Sequence, residues 1–244
     1  VGAESEQEKI PSVHMVKSII TNQNRYASTK EARVIDVLRD IGSPGKEPLI
    51  PVIEVKQEEE RPKLSDMVIS GTAVFRGDKL AGYFTAAQTR GWILLANKGR
   101  SSVFTVPCPN GGNKKFSFEM FSSKGNTKIE LIDGKPKISI KIKVAGDIGE
   151  TQGRNDLTTR EMVPKVQSEV GKVIREEVES AISAAQKYKA DVFGFGDMIH
   201  RKYPSEWKSM KDDWDEIFSK ASFEITVETK VARSGYIRKG TQPK

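Results

Sequence analysis

The sequence contains a single cysteine, Cys108, in 244 residues, so no disulfide framework can form within the chain. Its two histidines, His14 and His200, lie far apart. With one cysteine they make no Cys/His cluster at metal-ligand spacing, which argues against a structural zinc site and against a Cys–His dyad. Cys108 stands between Pro107 and Pro109, the setting of a buried strand end rather than of a reactive thiol. No apolar run approaches the roughly 20 residues that a membrane-crossing helix needs. Internal repeats and low-complexity tracts are absent too. Val1 to Lys9 is polar and acidic, and position 1 is not Met; no signal peptide opens the sequence, and its numbering is expected to begin inside a longer precursor.

What is present fits an α+β protein with a core and a solvated surface: 36% of residues are hydrophobic and 30% charged. The formal net charge is +7, but positive residues are interleaved with acids, as in Lys172-Val173-Ile174-Arg175-Glu176-Glu177. A solvated surface is the plain reading, and an anionic partner is the sharper one. A nucleic-acid footprint needs lysines gathered on one face; their dispersion argues against it.

Residues 8–41 read as helical, with Val13, Val16, Ile19 and Ile20, then Ala32, Ile35, Leu38 and the aliphatic stem of Arg39, at helical spacing. Gly42-Ser43-Pro44-Gly45 stops this stretch. An extended run, Leu49 to Val55, precedes the charged segment Lys56-Gln57-Glu58-Glu59-Glu60-Arg61-Pro62-Lys63. That segment has little to bury, and it predicts a linker at about 56–66. The expected division is a smaller helical and strand domain over 1–63 and an α+β domain over 67–244.

From Met67 the period changes to two. Val68, Ser70, Thr72 and Val74 lead through Arg76-Gly77-Asp78-Lys79 into Leu80 to Phe84, a hairpin in which Gly-Asp supplies the turn. The Arg-Gly-Asp triplet is therefore turn chemistry. Thr85 reads as the N-cap of a helix to Asn97 carrying Trp92, Leu94 and Leu95. Three further strands are expected: one with Phe116, Phe118 and Met120, one over Ile129–Ile132, and one with Ile138, Ile140, Ile142 and Val144. The last sets isoleucines on one face and Lys137, Ser139, Lys141 and Lys143 on the other. This basic face reads as the wet side of a half-covered antiparallel sheet, its lysines paired with Glu224 and Glu228 of a C-terminal strand; an anion site is the alternative. Leu157 to Lys189 predicts a long helix with a Thr158/Glu161 capping box, a kink or restart at Pro164, and an apolar stripe of Val166, Val170, Val173, Ile174, Ala181, Ile182, Ala185 and Tyr188. The expected fold is α+β, a largely antiparallel sheet covered by this amphipathic helix.

No catalytic constellation stands out. Gly194-Phe195-Gly196 lacks the full spacing of a phosphate loop and is followed by Asp197, which would repel phosphate; it reads as a tight joint between two helices. His200 is one turn from Tyr203, an arrangement more often packed than basic in catalysis. The 33 acids make paired carboxylates uninformative. No cofactor and no metal are expected. The unusual segment runs from Lys189 to Phe218, where aromatics crowd among charges. Such density forms a satellite core or, when exposed, anchors partners.

Within it, Ala190-Asp191-Val192-Phe193-Gly194-Phe195-Gly196, then His200-Arg201-Lys202-Tyr203-Pro204, Trp207 and Trp214, closely resemble the C-terminal signature of the GerAC-type spore germination proteins, the C subunits of nutrient germinant receptors. Gly71 to Leu80, Arg90-Gly91-Trp92, Gly134-Lys135-Pro136 and Arg233-Ser234-Gly235 match in order. Gln88 and Thr89 stand where the family often has an acid, which weakens the case for a local ion pair with Arg90. The lipid-modified cysteine, its leader and an N-terminal domain are not in the sequence, which resembles the middle and C-terminal domains alone.

The resemblance implies a non-enzymatic lipoprotein on the outer face of the spore inner membrane, held to the membrane surface by a lipid anchor and working with membrane A and B subunits. In that reading Arg90, Gly91, Trp92, Phe193, Gly194, Phe195, Gly196, His200, Arg201, Tyr203, Trp207 and Trp214 are candidate docking residues, with Lys137, Lys141 and Lys143 as a basic face. A second reading makes the chain a domain that binds a small germinant directly. A sensor needs a pocket with converging polar groups and aromatic walls; a scaffold needs a broad, shallow surface.

Overall fold

The computed structural model describes residues 33–58, 61–97, 101–153 and 155–234. The predicted helical residues Val13, Val16, Ile19, Ile20 and Ala32, together with His14 and Gly235, lie outside them. The first described element is helix α1 (Val34–Gly42). Its expected core stripe is not covered among the described residues: Ile35 and Leu38 are 57% and 58% exposed, while Asp40 is buried and paired with Lys46 at 2.6 Å.

Strands β1 (Leu49–Glu58), β2 (Arg61–Arg76) and β3 (Lys79–Phe84) form one antiparallel sheet in the order β1-β2-β3. The described residues of the segment expected as a linker lie in β1 and β2. Lys56 lies opposite Asp66, Gln57 opposite Ser65 and Glu58 opposite Arg61, so the described residues of the charged segment are paired strand. A strand needs its backbone hydrogen bonds satisfied more than it needs apolar side chains, and a directly connected neighbour satisfies them. Elements on both sides of residue 63 thereby share one sheet. The Gly77-Asp78 turn joins β2 to β3 as expected, and the Gly77 N–H donates to Glu47 Oε2 at 2.7 Å.

Thr85 caps α2 (Ala86–Leu95) through a reciprocal capping box with Gln88. The second sheet has the order β4-β5-β6-β7, from β4 (Ser102–Pro107), β5 (Lys115–Ile132), β6 (Lys135–Thr151) and β7 (Ser222–Ser234). The two segments expected as separate strands before Asp133 are one 18-residue strand, β5. A register shift between Met120 and Ser122 lets its apolar alternation change phase without ending the strand. Cys108 follows β4 and is buried, as a strand end should be.

The sheet is antiparallel except at β6–β7, which pair in parallel. The chain between them is a helical crossover, and such a return brings a strand back in the same direction. The long helix, α3 (Met162–Tyr188), buries Val166, Val170, Ile174, Val178, Ala181, Ile182 and Ala185 in the core. Opposite them stand Phe116, Phe118, Ile138, Ile140 and Ile142, each worth about 1.5–3 kcal/mol on burial. The Thr158/Glu161 capping box does not form. Thr158 instead donates to Asp156 Oδ1 at 2.6 Å, and Thr159 Oγ1 accepts from the Met162 N–H at 3.3 Å. Pro164 stands in the first helical turn, where its missing N–H has no intrahelical acceptor to lose. After α3 come α4 (Phe195–Lys202), α5 (Pro204–Met210), a short 3-10 turn and α6 (Trp214–Ser219). No described helix is long and apolar enough to cross a membrane.

Candidate functional site

The aromatic segment folds around one carboxylate. Helix α3 ends at Lys189 in a left-handed conformation, φ 52°, and the chain turns through Ala190-Asp191-Val192 into α4. Asp191 is 1% exposed. Its Oδ1 accepts from the N–H groups of Phe193 (3.2 Å) and Gly194 (2.9 Å), and its Oδ2 from the N–H of Gly196 (2.8 Å) and from Trp214 Nε1 (3.2 Å). The first N–H groups of a helix have no intrahelical acceptor, and this carboxylate supplies one for α4. Burial raises the Asp191 carboxyl to about 6, against the lowering effect of the donated hydrogen bonds.

The same loop ties in distant parts of the chain. The Asp191 carbonyl accepts from the Glu47 N–H at 2.9 Å, and the Val192 carbonyl from Trp92 Nε1 at 2.8 Å. Gly194 holds φ 76° as it enters α4, a conformation costly for other residues. A Cβ on Gly196 would lie 2.7 Å from both Gly45 Cα and Trp214 Nε1, so only glycine permits this approach. The rings then interlock: Phe193 stacks on Phe195 at 5.3 Å, Trp207 meets Trp214 edge-on at 5.4 Å, and Trp214 reaches Phe218 at 6.3 Å.

Arg90 makes a forked ion pair with Glu177 of α3, with Nε to Oε2 at 2.7 Å and Nη2 to Oε1, and its guanidinium lies 4.6 Å from the Phe104 ring centre. The ion pair is therefore not with a residue near Arg90 in sequence. A Cβ on Gly91 would meet the Glu177 carbonyl oxygen at 2.4 Å, so this glycine sets how closely α2 and α3 cross.

The candidate docking residues thus divide. Gly91, Trp92, Gly194, Phe195, Gly196, Trp207 and Trp214 are buried; the rings of Trp92, Phe195, Trp207 and Trp214 pack inside the chain, and Gly91 and Gly196 allow close backbone approach. Arg90, Phe193, His200 and Tyr203 are half-buried; His200 lies 6.1 Å from the Trp207 ring, and Lys202 sits over Tyr203 at 4.9 Å. Arg201 is exposed and pairs with Asp197 at 3.0 Å.

Lys137, Lys141 and Lys143 occupy the open face of the second sheet. Lys141 and Lys143 both reach Glu228, at 2.5 and 3.3 Å, and Lys137 reaches Glu224 at 3.7 Å, as the sequence pattern led one to expect. Lys141, then Lys143, holds the Glu228 carboxyl below the usual carboxylate range.

Asp191 and Glu177 were missed as organising residues. A lone acid between Ala190 and Val192, just before a Gly-x-Gly helix start, was a usable signal for Asp191. Glu177 carried none, because its partner is 87 residues away. Among the described residues no group of three or more His, Cys, Asp or Glu is placed to hold a metal ion.

The family described as Spore germination B3/GerAC like, C-terminal, matches residues 70–235, a span that takes in the Arg-Gly-Trp corner and the Asp191 knot. The chain belongs to this family. Among GerAC-like relatives, spore germination protein KC of Bacillus subtilis (strain 168) is 24% identical over 242 residues, covering 93% of this chain and 59% of its own length. Spore germination protein B3 of the same organism is 27% identical over 166 residues, 66% of this chain and 43% of its own. The crystal structure of the GerBC protein superposes with a TM-score of 0.68 at 21% identity, over 83% of this chain and 61% of that one. It establishes the α+β fold. The chain spans 59% of the length of protein KC and 43% of that of protein B3.

Proposed function

We propose that the chain is the interaction part of a nutrient germinant receptor C subunit, a non-enzymatic component that works with membrane A and B subunits in triggering spore germination. In the full-length protein a lipid anchor would hold it to the outer face of the spore inner membrane. The observation that carries the interaction reading is the use made of the signature aromatics. They close on Asp191 inside the chain, while the open sheet face, lined mainly by lysines with Asn126, Ser139, Thr226 and Glu224, offers a concave surface of about 520 Å³ among the described residues. A small germinant would instead need aromatic walls and free polar groups converging on it. The recess that touches Phe193 and Phe195, about 190 Å³ in volume, has aromatic walls, but both ends of the Asn97 amide there are taken by the Gly125 backbone.

The test is co-purification of the lipidated full-length protein with A and B subunits from spore membranes, alongside calorimetric titration of the purified chain with germinant amino acids and sugars. Retention of both subunits with no heat of germinant binding is the expected result. Purification without either subunit, together with saturable germinant binding, would replace this reading by direct sensing.

A further inference from the structure

The open face of the second sheet carries more charge than its fold uses. Lys124 and Lys128 of β5 stand beside Lys137, Lys141 and Lys143 of β6, and Lys124 is directly opposite Lys143 in the β5–β6 register. Like charges opposite one another destabilise a sheet. Glu130, Glu224 and Glu228 are the counter-charges on this stretch, and Lys128 uses the first of them at 2.7 Å. Lys141 and Lys143 share a single carboxylate, and no carboxylate of a described residue pairs with Lys124. Five lysines face three glutamates, so the surface stays positive.

It is also shaped. A trough of about 520 Å³ runs over the three strands, lined by Lys124, Asn126, Lys128, Ser139, Lys141 and Thr226 among others. Along each strand the same-face side chains recur every second residue, roughly 6.8 Å apart. An extended chain lying along the trough presents its own alternate side chains at that spacing, and Asn126, Ser139 and Thr226 offer hydrogen bonds between the charges. A membrane surface would meet the rim of such a trough and not its floor.

We propose that this trough docks an extended acidic segment of a partner protein, with carboxylates at alternate positions set against Lys124, Lys128, Lys141 and Lys143. The proposal rests on the interaction reading above and names its surface.

The test is fluorescence anisotropy with a labelled peptide of about nine residues, valine and glutamate alternating, against the chain and against Lys124→Glu/Lys143→Glu. Lys208→Glu, on the exposed side of α5, serves as the remote control. Binding should weaken at least tenfold in the double variant, stay within twofold in the control, and fall as salt rises, because exposed charges are screened. The single Lys124→Glu removes an unpaired cation from an exposed site and carries the test should the double variant not fold. Absence of peptide binding, equal binding by all variants, or equal binding of a peptide with its glutamates in one block overturns the proposal. Lysine-dependent binding to vesicles of anionic lipid in place of the peptide would assign the face to the membrane and overturn it too. If the full-length double variant still retains A and B subunits at wild-type levels, the trough is not the docking surface and the subunit reading stands; if the wild type retains neither, the subunit reading itself fails.

Discussion

The Asp191 knot and the open face of the second sheet are both conspicuous in sequence, one for its aromatics and the other for its lysines, and they end in opposite environments. In the knot, Phe193, Phe195, Trp207, Trp214 and Phe218 find ring partners, and the Asp191 carboxylate finds its donors inside the chain. On the sheet face, alternation leaves the isoleucines inward and the lysines in water. Aromatic density therefore marks where this chain is held together, and period-two charge marks where it meets its surroundings. Unusual composition alone did not separate the two roles; burial did.

The comparison breaks most visibly if the knot is not structural. Trp214→Ala removes the Asp191 hydrogen bond and the contacts with Trp207 and Phe218, and it should cost about 3–5 kcal/mol in urea denaturation. A loss below about 1 kcal/mol would mean that the knot contributes little to the core.

The next effect is a pH dependence confined to the knot. The Asp191 carboxyl is raised by burial from 3.8 to about 6, so the folded state holds its proton more tightly than the unfolded one. Its contribution to stability is complete below pH 3.8 and is lost as pH rises through about 6, amounting to about 3 kcal/mol. Urea midpoints of wild type and Asp191→Asn between pH 4 and 7 isolate this group: the wild type should lose stability relative to the variant as pH rises. Parallel curves would show that the carboxyl is not held protonated by its burial.

The smallest effect sharpens the other side. Lys141 and Glu228 are each about half exposed, and such pairs contribute about 0–1 kcal/mol. Lys141→Ala should change the unfolding free energy, read by urea denaturation, by less than about 0.5 kcal/mol. A change as large as that of Trp214→Ala would make the sheet face structural after all.

Much of the fold was legible because it rests on local periodicity. The hairpin turn at Gly77-Asp78, the Thr85 cap, the inward row Ile138, Ile140, Ile142 and Val144, and the stripe of α3 all follow from spacing along a few residues. The charged segment from Lys56 gave no apolar alternation to read as strand, although Lys56, Gln57 and Glu58 pair with Asp66, Ser65 and Arg61. The capping box at Thr158 was misread because Asp156 and Thr159 compete for the same hydrogen bonds. In the candidate site, the signature residues were identified with a satellite core and a docking surface both open, and spacing could not choose between them, since neighbours such as Gly45 and Glu177 come from far along the chain.

By itself the sequence determined the α+β class, the long amphipathic helix, the face on which the lysines lie and the family to which the chain belongs, because each is written in short-range spacing or in contiguous motif residues. Only the tertiary structure decided that β7 returns parallel to β6, that Arg90 answers Glu177, and that Trp92, Trp207 and Trp214 are enclosed around Asp191. Those outcomes depend on which distant surfaces exclude water together, and burial of that kind is a property of the assembled chain.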